Sequence, residues 1–312
     1  MFKKFFLLFF TFSFFHVLFA QAPSVRMGVL KGISCAPCAY LIENRAKLSV
    51  QNMSFKIYDS VQGELPALLK EELDVGFLPV KDAAKVFSKG SGAVVALGVV
   101  QNGNLWLLKS GGSYESIEEL KGKVVVCAEN DSSDAELLQY LFPKKGLSVG
   151  SDENSVKLDF SVPVANISNN LILGKIQYAF VEEPFATVAQ IHSSKIIRAE
   201  NVSKIYYETE GGSSVPAMLL VADSEFAKQN LDLISRVCEL YKSAVSWTTK
   251  NPSKAALLAE KHRLGLSSEV VRASIPNANL VWRDAGNAKS DIEKYLTIIQ
   301  QEFPAGDFYI NH

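Results

Sequence analysis

From residue 25 onward, short apolar segments typical of β-strands alternate with longer segments typical of helices. Val25–Leu30 is a run of the first kind, and Ala36–Lys47, which follows a turn at Gly32, is of the second kind. Parallel strands need a long crossover to pair in the same sheet, and a helix usually supplies it. The alternation therefore predicts an α/β protein with open, mostly parallel sheets and helices on both faces. The further strand-like runs are Ser54–Tyr58, Asp74–Leu78, Val94–Val100, Leu105–Leu108, Lys123–Ala128, Lys157–Val162, Gln177–Val181 and Ala217–Val221.

Two turns rich in glycine and serine, Ser110–Ser113 and Gly211–Ser214, divide this alternation. Glycine adopts unusual backbone conformations at little steric cost, so we expect the chain to cross between two lobes at these turns. The C-terminal part is mainly helical, because apolar residues recur at helical spacing through Ser224–Thr249 and Pro252 starts the next helix. The predicted lobes are residues 21–109 together with 216–312, and residues 110–215.

The first twenty residues combine a positive start with an apolar run. Lys3 and Lys4 precede Phe5–Phe19, which three polar residues interrupt. A membrane-spanning helix needs roughly 20 apolar residues, so this run is short for a span. The order of charge, apolar run and small residue at Ala20 is typical of a cleavable secretory signal, and a retained membrane anchor is the alternative. We expect cleavage between Ala20 and Gln21, no lipid anchor because no cysteine stands there, and a periplasmic location.

The charge of the chain argues against one class of partner. Met1–Ala20 carries two lysines and no acidic residue, so its removal changes the formal net charge from −1 to −3. Proteins that bind nucleic acid generally need a basic patch that neutralises phosphates. The sequence therefore predicts no nucleic-acid partner.

Of the four cysteines, only Cys35 and Cys38 are close in sequence. They stand where a strand ends and a helix begins, which is the local pattern of a thiol–disulfide exchange site, because a helix N-terminus lowers the pKa of a thiol. The alternatives are an inert or reversibly oxidised pair, thiols that contact a ligand, and two metal ligands. Two cysteines are a weak metal signal, since structural zinc takes four ligands. Cys127 and Cys238 lie in apolar surroundings and are predicted core residues.

Open α/β sheets bind ligands at the carboxyl ends of their strands, so side chains at those ends form the candidate site. The predicted ligand-binding residues are Ser34, Cys35, Tyr58, Lys81, Asn102, Asn130, Ser132, Ser133, Glu182 and Glu183. For Ser132 and Ser133 the alternative is helix capping, and for Glu182 and Glu183 it is a solvated helix start that the dipole favours. For Tyr58 the predicted role is stacking on a planar ring of the ligand, and the alternative, which is more common for an aromatic side chain, is burial. No Ser-His-Asp order, P-loop or zinc-peptidase motif is present, so no catalytic residue, cofactor or metal site is predicted.

Several segments together resemble a known family. They are Arg26–Gly32, Leu73–Pro79, Ser116–Val124, Glu183–Ala186, Asp291–Tyr295 and Phe308–Tyr309. They are similar to extracytoplasmic solute-binding proteins of ABC transporters, in the branch that serves nitrate, sulfonate, taurine and thiamine-pyrimidine precursors. The resemblance implies the two-lobed fold of the type II periplasmic binding proteins. It further implies a monomeric receptor, not an enzyme, that holds a small solute between its lobes, closes by hinge bending and docks on a membrane permease.

One departure from this family falls on a loop of the predicted cleft. Where many relatives have a turn rich in proline, threonine and glycine, this chain has Ile33–Cys38, so the ligand is not carried over from relatives. Acidic residues near the predicted cleft favour a neutral heterocycle with N–H donors, such as a thiamine-pyrimidine precursor, over an anion. These acidic residues are Asp59, Asp131, Asp134, Glu182 and Glu183.

Two other functions compete with that of a transport receptor. An exported thiol–disulfide oxidoreductase would use Cys35 and Cys38. The second competing function is that of an enzyme with the same fold, since pyrimidine-synthesising and menaquinone-pathway enzymes are similar to these receptors. The predicted signal argues against this second function, because the metabolites of those enzymes are cytosolic.

Overall fold

The computed structural model of this chain describes residues 24–48, 52–90, 92–128, 132–302, 304 and 306–310. The predicted signal Met1–Ala20, the predicted site residue Asn130 and the acidic residue Asp131 lie outside the described residues.

Within the described ranges, strands and helices alternate along most of the chain. In chain order the strands are β1 (Val25–Leu30), β2 (Met53–Tyr58), β3 (Val75–Pro79), β4 (Val94–Asn102), β5 (Leu105–Ser110), β6 (Val124–Val126), β7 (Lys157–Asp159), β8 (Tyr178–Glu182), β9 (Ile196–Asn201), β10 (Pro216–Asp223) and β11 (Leu280–Asp284). The α-helices are α1 (Cys38–Asn44), α2 (Val61–Leu69), α3 (Val80–Lys89), α4 (Ser133–Lys144), α5 (Val164–Ile172), α6 (Phe185–His192), α7 (Val202–Thr209), α8 (Ser224–Gln229), α9 (Leu231–Lys250), α10 (Pro252–Lys261), α11 (Ser268–Ser274) and α12 (Ala285–Ile298).

The described strands form two separate sheets, one in each lobe. The first has the order β11-β4-β10-β3-β1-β2, and the second has the order β7-β6-β8-β5-β9. In the first sheet β10 runs antiparallel to β3 and β4, and β11 runs antiparallel to β4, while β1 is parallel to β2 and β3. In the second sheet only β5 runs against its neighbours, β8 and β9. Both sheets are therefore mixed, and the predicted α/β fold of two sheets flanked by helices is confirmed.

The first crossing between the sheets lies one strand earlier than predicted. β4 ends at Asn102 in the first sheet and β5 begins at Leu105 in the second, so the chain crosses at Gly103 and Asn104. The prediction of a crossing at Ser110–Ser113 is therefore wrong, because that turn follows β5 inside the second lobe. The return crossing runs from α7 to β10 and contains Gly211–Ser214.

The turn at Ser110–Ser113 has a local cause. Gly111 and Gly112 have φ angles of 77° and 73°, in the left-handed region that glycine adopts without strain. The N–H of Gly111 donates to the carbonyl of Lys195 at 2.9 Å, which holds the turn beside the start of β9. A pair of glycines indicates a tight turn, but the same signal serves a turn within a lobe and a turn between lobes.

The C-terminal helical part is divided differently from the prediction. The predicted helix Ser224–Thr249 is interrupted at Asn230, where φ is −133° and ψ is 43°, so that α8 and α9 are separate. The side-chain amide of Asn230 donates to the carbonyl of Phe226 at 2.9 Å and ends α8. Pro252 starts α10, as predicted.

Helices cover both faces of the first sheet. Phe77 and Leu78, neighbours on β3, point to opposite faces, as alternation along a strand requires. Phe77 belongs to a core shared with Tyr241 of α9, and Leu78 belongs to a core shared with Leu296 of α12. Burial of apolar surface, which stabilises the folded state by about 25 cal/mol per Å², holds these layers together. Among the described helices, none has the length and apolar character that a membrane crossing requires.

A carboxylic acid lies inside the core of the first lobe. Glu64, in the first turn of α2, has no exposed surface, and the N–H of Phe77 donates to its Oε1 at 3.3 Å. Two glycines leave room for it, because a Cβ at Gly28 would lie 2.1 Å from Oε1 and a Cβ at Gly76 would lie 2.9 Å from it. Burial raises the pKa of Glu64 to about 8, so this side chain is mostly protonated at neutral pH.

Candidate functional site

A cavity of about 250 Å³ lies between the two lobes, at the carboxyl ends of β3, β4 and β8. This is the part of an open α/β sheet where ligands bind. The first lobe contributes the junction of β3 and α3 and the end of β4, and the second contributes the start of α4 and the end of β8. The described lining residues are Ser34, Pro79, Val80, Lys81, Gln101, Asn104, Ser132, Ser133, Asp134, Glu182, Glu183, Ala217, Met218 and Tyr295.

Two carboxylates of the second lobe stand together in this cavity. Asp134 is the second residue of α4, and Glu182 is the last residue of β8. Desolvation in the cleft raises the pKa of Asp134 to about 6. The same cause and then the charge of Asp134 raise the pKa of Glu182 to about 8, although solvent still reaches the Glu182 side chain. Among the described residues no basic side chain forms an ion pair with either one, so a ligand that donates hydrogen bonds would be stabilised here.

Asn104, in the first crossing, adds a buried hydrogen-bond acceptor to the cavity. It is 4% exposed, and its Nδ2 donates to the carbonyl of Glu183 at 3.4 Å. Its Oδ1 has no hydrogen-bond partner within the part of the chain that the structure describes. Buried polar atoms are nearly always paired, so this oxygen is suited to accept a hydrogen bond from a bound molecule.

Side chains of the two lobes meet at the edge of the cavity. Lys81 Nζ of α3 lies 3.0 Å from Glu136 Oε2 of α4, which joins the first lobe to the second. Ser133 of α4 and Tyr295 of α12 both line the cavity, and these two helices contact each other there. Burial raises the pKa of Tyr295, so its hydroxyl stays protonated. These contacts hold the lobes in an approach close enough to enclose a small molecule.

The family model described as NMT1/THI5 like matches residues 62–255, which is more than half of the chain. The chain belongs to the NMT1/THI5-like family. This confirms the resemblance that the sequence motifs indicate. No curated protein sequence gives a significant match.

Solved structures of similar fold include an ABC transporter protein and two periplasmic binding proteins. An ABC transporter protein from Parabacteroides distasonis has a TM-score of 0.75 and 18% identity, over 92% of this chain and 99% of that chain. The aliphatic sulphonate binding protein SsuA from Escherichia coli has a TM-score of 0.68 and 15% identity, over 92% of each chain. The nitrate-binding protein NrtA from Synechocystis has a TM-score of 0.58 and 13% identity, over 88% of this chain and 80% of that chain. At these identities the likeness shows a shared fold, that of the periplasmic binding proteins.

Most of the predicted site residues of this NMT1/THI5-like protein line the cavity. They are Ser34, Lys81, Ser132, Ser133, Glu182 and Glu183. Ser34 Oγ donates to Gln101 Oε1 at 2.8 Å, so it is held against the end of β4. Ser132 Oγ accepts from the N–H of Ala135 at 3.2 Å, which is the helix capping that the sequence offers as an alternative role.

Glu183 does not present its carboxylate to the cavity. Its side chain is fully buried in the second lobe, where Oε1 lies 2.5 Å from Nη2 of Arg198. The N–H of Thr187 donates to Oε2 at 3.3 Å, and the Arg198 guanidinium lies over the Trp106 ring at 4.8 Å. The predicted role of Glu183 as an acceptor for the ligand is therefore corrected, because its charge is already compensated inside the lobe. Glu182 is the carboxylate that faces the cavity.

Cys35 lies behind the cavity wall and does not line it. Cys35 and Cys38 are both fully buried in the core of the first lobe, while Ser34 points to the cleft. Burial first, and then the neighbouring Cys38 thiol, raises the pKa of Cys35. A neutral buried thiol is a poor nucleophile, which is the opposite of what thiol–disulfide exchange requires. The prediction that Cys35 contacts the ligand is therefore corrected.

Two other predicted residues lie away from the cavity wall. Tyr58 ends β2, where Lys56 Nζ lies 5.1 Å from the centre of its ring. Asn102 ends β4, and its N–H donates to the carbonyl of Asn279 at 3.0 Å. Neither residue is part of the described cavity wall, and β2 is the edge strand of its sheet.

Eight of the described lining residues are missing from the predicted ligand-binding set, and Asn104 and Tyr295 are two of them. Asn104 could have been found as a polar residue in a crossing, had the crossing been placed correctly. Tyr295 comes from α12, and no sequence signal indicates that this late helix reaches the cleft. Within the described residues, no three side chains of histidine, cysteine, aspartate or glutamate are grouped as metal ligands would be.

Proposed function

We propose that this NMT1/THI5-like protein is the substrate-binding receptor of an ABC importer. The observation that carries the proposal is the cavity enclosed by two lobes and bordered by the crossing between them. Lobes connected in this way close on a ligand by hinge bending. The similarity in fold to a sulphonate-binding and a nitrate-binding protein supports the same role.

The ligand that we propose is a small, neutral or cationic heterocycle with several N–H donors, such as a thiamine-pyrimidine precursor. Asp134, Glu182 and the Oδ1 of Asn104 are all acceptors that face the cavity. The lysine of the cavity, Lys81, is paired with Glu136. An anion such as nitrate or a sulfonate would lie beside Asp134, whose pKa of about 6 leaves it mostly ionised at neutral pH, and is therefore disfavoured.

The proposed receptor is exported to the periplasm after cleavage at Ala20 and works as a monomer with an ABC permease as its partner. The short apolar run and small residue at its end support the cleavage. The fold supports the partner, since the named relatives belong to ABC transport systems or are periplasmic binding proteins.

Titration calorimetry of the mature protein tests both the site and the ligand class. We expect 4-aminopyrimidine to bind and taurine and nitrate not to bind. Small-angle scattering at saturation with the bound compound should give a smaller radius of gyration than the free protein. Binding of taurine in place of aminopyrimidine would reject the heterocycle while keeping a receptor. A radius of gyration that stays constant at saturation would reject hinge closure.

A variant locates the binding in the cleft. Glu182→Gln keeps the shape of the side chain but replaces a carboxyl group that a cationic or N–H-donating ligand would ionise by an amide that stays neutral. Loss of a hydrogen bond to a charged group costs about 1.5–3 kcal/mol, so we expect the affinity for aminopyrimidine to fall about tenfold or more. Glu239→Gln, on the exposed side of α9 beside Lys242, is the matched control and should keep the wild-type affinity.

A further inference from the structure

A second, smaller cavity lies inside the second lobe and opens beside the two carboxylates. Its volume is about 50 Å³, and it lies between β8 and the helices α4, α5 and α6. It shares Ser132, Asp134 and Glu182 with the cavity between the lobes. A molecule that is bound to Asp134 and Glu182 would therefore lie at the mouth of this inner cavity.

The wall of the inner cavity is almost wholly apolar. Beyond the shared mouth it is formed by Leu105, Cys127, Ala128, Ala135, Leu138, Val164, Ile167, Phe180, Val181 and Phe185. Burial raises the pKa of the Cys127 thiol to about 12, so this side chain is also uncharged. Water is poorly held in a cavity without polar partners, whereas an apolar group gains from leaving water.

The inner cavity is built into the core. Ala135, Leu138 and Phe180 are each at most 2% exposed, and Leu138 and Phe180 belong to a large apolar cluster that extends through both lobes. Ala135 is the smallest of them, and it stands one residue after Asp134 at the mouth. Such close-packed walls move little, so the space has a defined size. One water-sized group needs about 10–15 Å³, so the cavity takes about three to five non-hydrogen atoms.

We propose that this inner cavity is an apolar subsite that holds a short alkyl arm of the ligand whose N–H-bearing head lies on Asp134 and Glu182. The proposal rests on the proposed function, and it narrows the ligand to a molecule with a polar head and a short apolar arm. The size of Ala135 limits the length of the arm. A ligand without the arm leaves the inner cavity empty and binds less tightly.

A series of alkylated 4-aminopyrimidines tests the subsite by calorimetry. The parent compound, its methyl and ethyl derivatives at ring positions 2 and 5, and the corresponding hexyl compounds are compared. Each buried methylene stabilises by about 0.8 kcal/mol, which is about a fourfold gain in affinity. At one of the two ring positions we expect the affinity to rise from the parent to the methyl and then to the ethyl compound. The hexyl compound at that position should bind less tightly than the ethyl compound. Equal affinities for the parent, methyl and ethyl compounds would overturn the subsite.

Variants that fill the inner cavity give the decisive comparison. Ala135→Val and, as a second variant, Val164→Phe should reduce the ratio of ethyl to parent affinity to about one. Val164 is 38% exposed at the start of α5, so a larger side chain has room there. Val164→Phe therefore tests the subsite if Ala135→Val does not fold. The control Ala67→Val makes the same change in α2 of the first lobe and should keep the wild-type ratio. An unchanged ratio in both filling variants would overturn the proposal.

Xenon separates failure of the subsite from failure of the proposed ligand class. Xenon needs no hydrogen-bond donor, and its NMR shift reports occupancy of an apolar cavity. We expect a shift with the ligand-free wild type and with Ala67→Val, and none with Ala135→Val. If no aminopyrimidine binds but xenon behaves in this way, the head group is wrong and the apolar subsite remains. If the wild type gives no xenon shift, the subsite is rejected whatever the aminopyrimidines do.

Discussion

The N–H of Gly103 donates to the carbonyl of Val215 at 2.8 Å and joins the two segments that connect the lobes. Gly103 is the first residue after β4, and Val215 is the last residue before β10. The carbonyl of Gly103 also accepts hydrogen bonds from the side chains of Ser203 and Asn279. Both connections between the lobes are therefore held together at one glycine, and bending of the molecule must take place around it.

The first prediction concerns this glycine. A Cβ at Gly103 would lie 2.8 Å from Ser203 Oγ and 3.0 Å from Val215 Cγ1. Gly103→Ala must therefore push these groups apart, and we expect unfolding in urea to show a loss of about 1–3 kcal/mol. Gly63→Ala, where the nearest atom is an ordinary 3.7 Å away within α2, is the control and should be neutral or stabilising. Equal stability of the two variants would contradict the close contact at Gly103.

The second prediction concerns the pH dependence of stability. Glu64 has its pKa raised from 4.5 to about 8, so the folded chain holds a proton there that the unfolded chain releases above pH 4.5. The contribution of this group is therefore present below pH 4.5 and is lost as the pH rises toward 8. Glu64→Gln should remove a decline in the free energy of unfolding of up to about 1.4 kcal/mol per pH unit in this window.

Urea unfolding at several pH values between 4.5 and 8 gives the slope of the free energy of unfolding against pH, which is compared between Glu64→Gln and the wild type. Glu225→Gln, an exposed position beside Lys228, is the control and should keep the wild-type slope. If Glu64→Gln and Glu225→Gln show the same slope, Glu64 is not the protonated group.

The third prediction separates the neighbouring residues Glu182 and Glu183. Glu183→Gln removes the charge that compensates buried Arg198, and breaking a buried ion pair costs about 3–5 kcal/mol. Glu182→Gln removes a carboxylate that has no basic partner among the described residues, so we expect it to leave the urea midpoint unchanged or raise it. A result in which Glu182→Gln is the more destabilised variant would reverse the assignment of the two side chains.

The fourth prediction concerns the cysteines. Since Cys35 and Cys38 have no exposed surface, we expect dithionitrobenzoate to react with the native protein far more slowly than with the protein unfolded in guanidinium. We also expect the wild type not to accelerate the reduction of insulin disulfides. Acceleration by wild type that is lost in the double variant Cys35→Ala with Cys38→Ala would restore the oxidoreductase hypothesis.

The sequence alone predicts the α/β architecture because that signal is repeated along the chain. Each strand-like run, such as Val25–Leu30, is apolar because a strand between two layers of helices is buried on both faces. A wrong assignment of one element therefore leaves the overall pattern unchanged. The sequence does not predict the position of the crossing correctly, because the crossing depends on one short segment. Gly103 is followed by Asn104, which carries no stronger turn signal than Ser110–Ser113.

The site was harder to predict because side-chain direction is decided by packing. Glu182 and Glu183 are adjacent at the end of β8, yet one faces the cleft and the other faces Arg198. In the same way Ser34 reaches the cavity, whereas Cys35 next to it is in the core. Sequence patterns identified the correct loops but could not choose between neighbours within them.

The buried acid of the first lobe has a consequence for how this family varies. Glu64 occupies space that side chains at Gly28 and Gly76 would otherwise fill, so the three positions are constrained as a unit across two strands and a helix. A homologue with a short apolar residue in place of Glu64 would be free to have larger residues in place of the two glycines. Correlated substitution at these three positions would then mark the lineages in which this core is built without its acid.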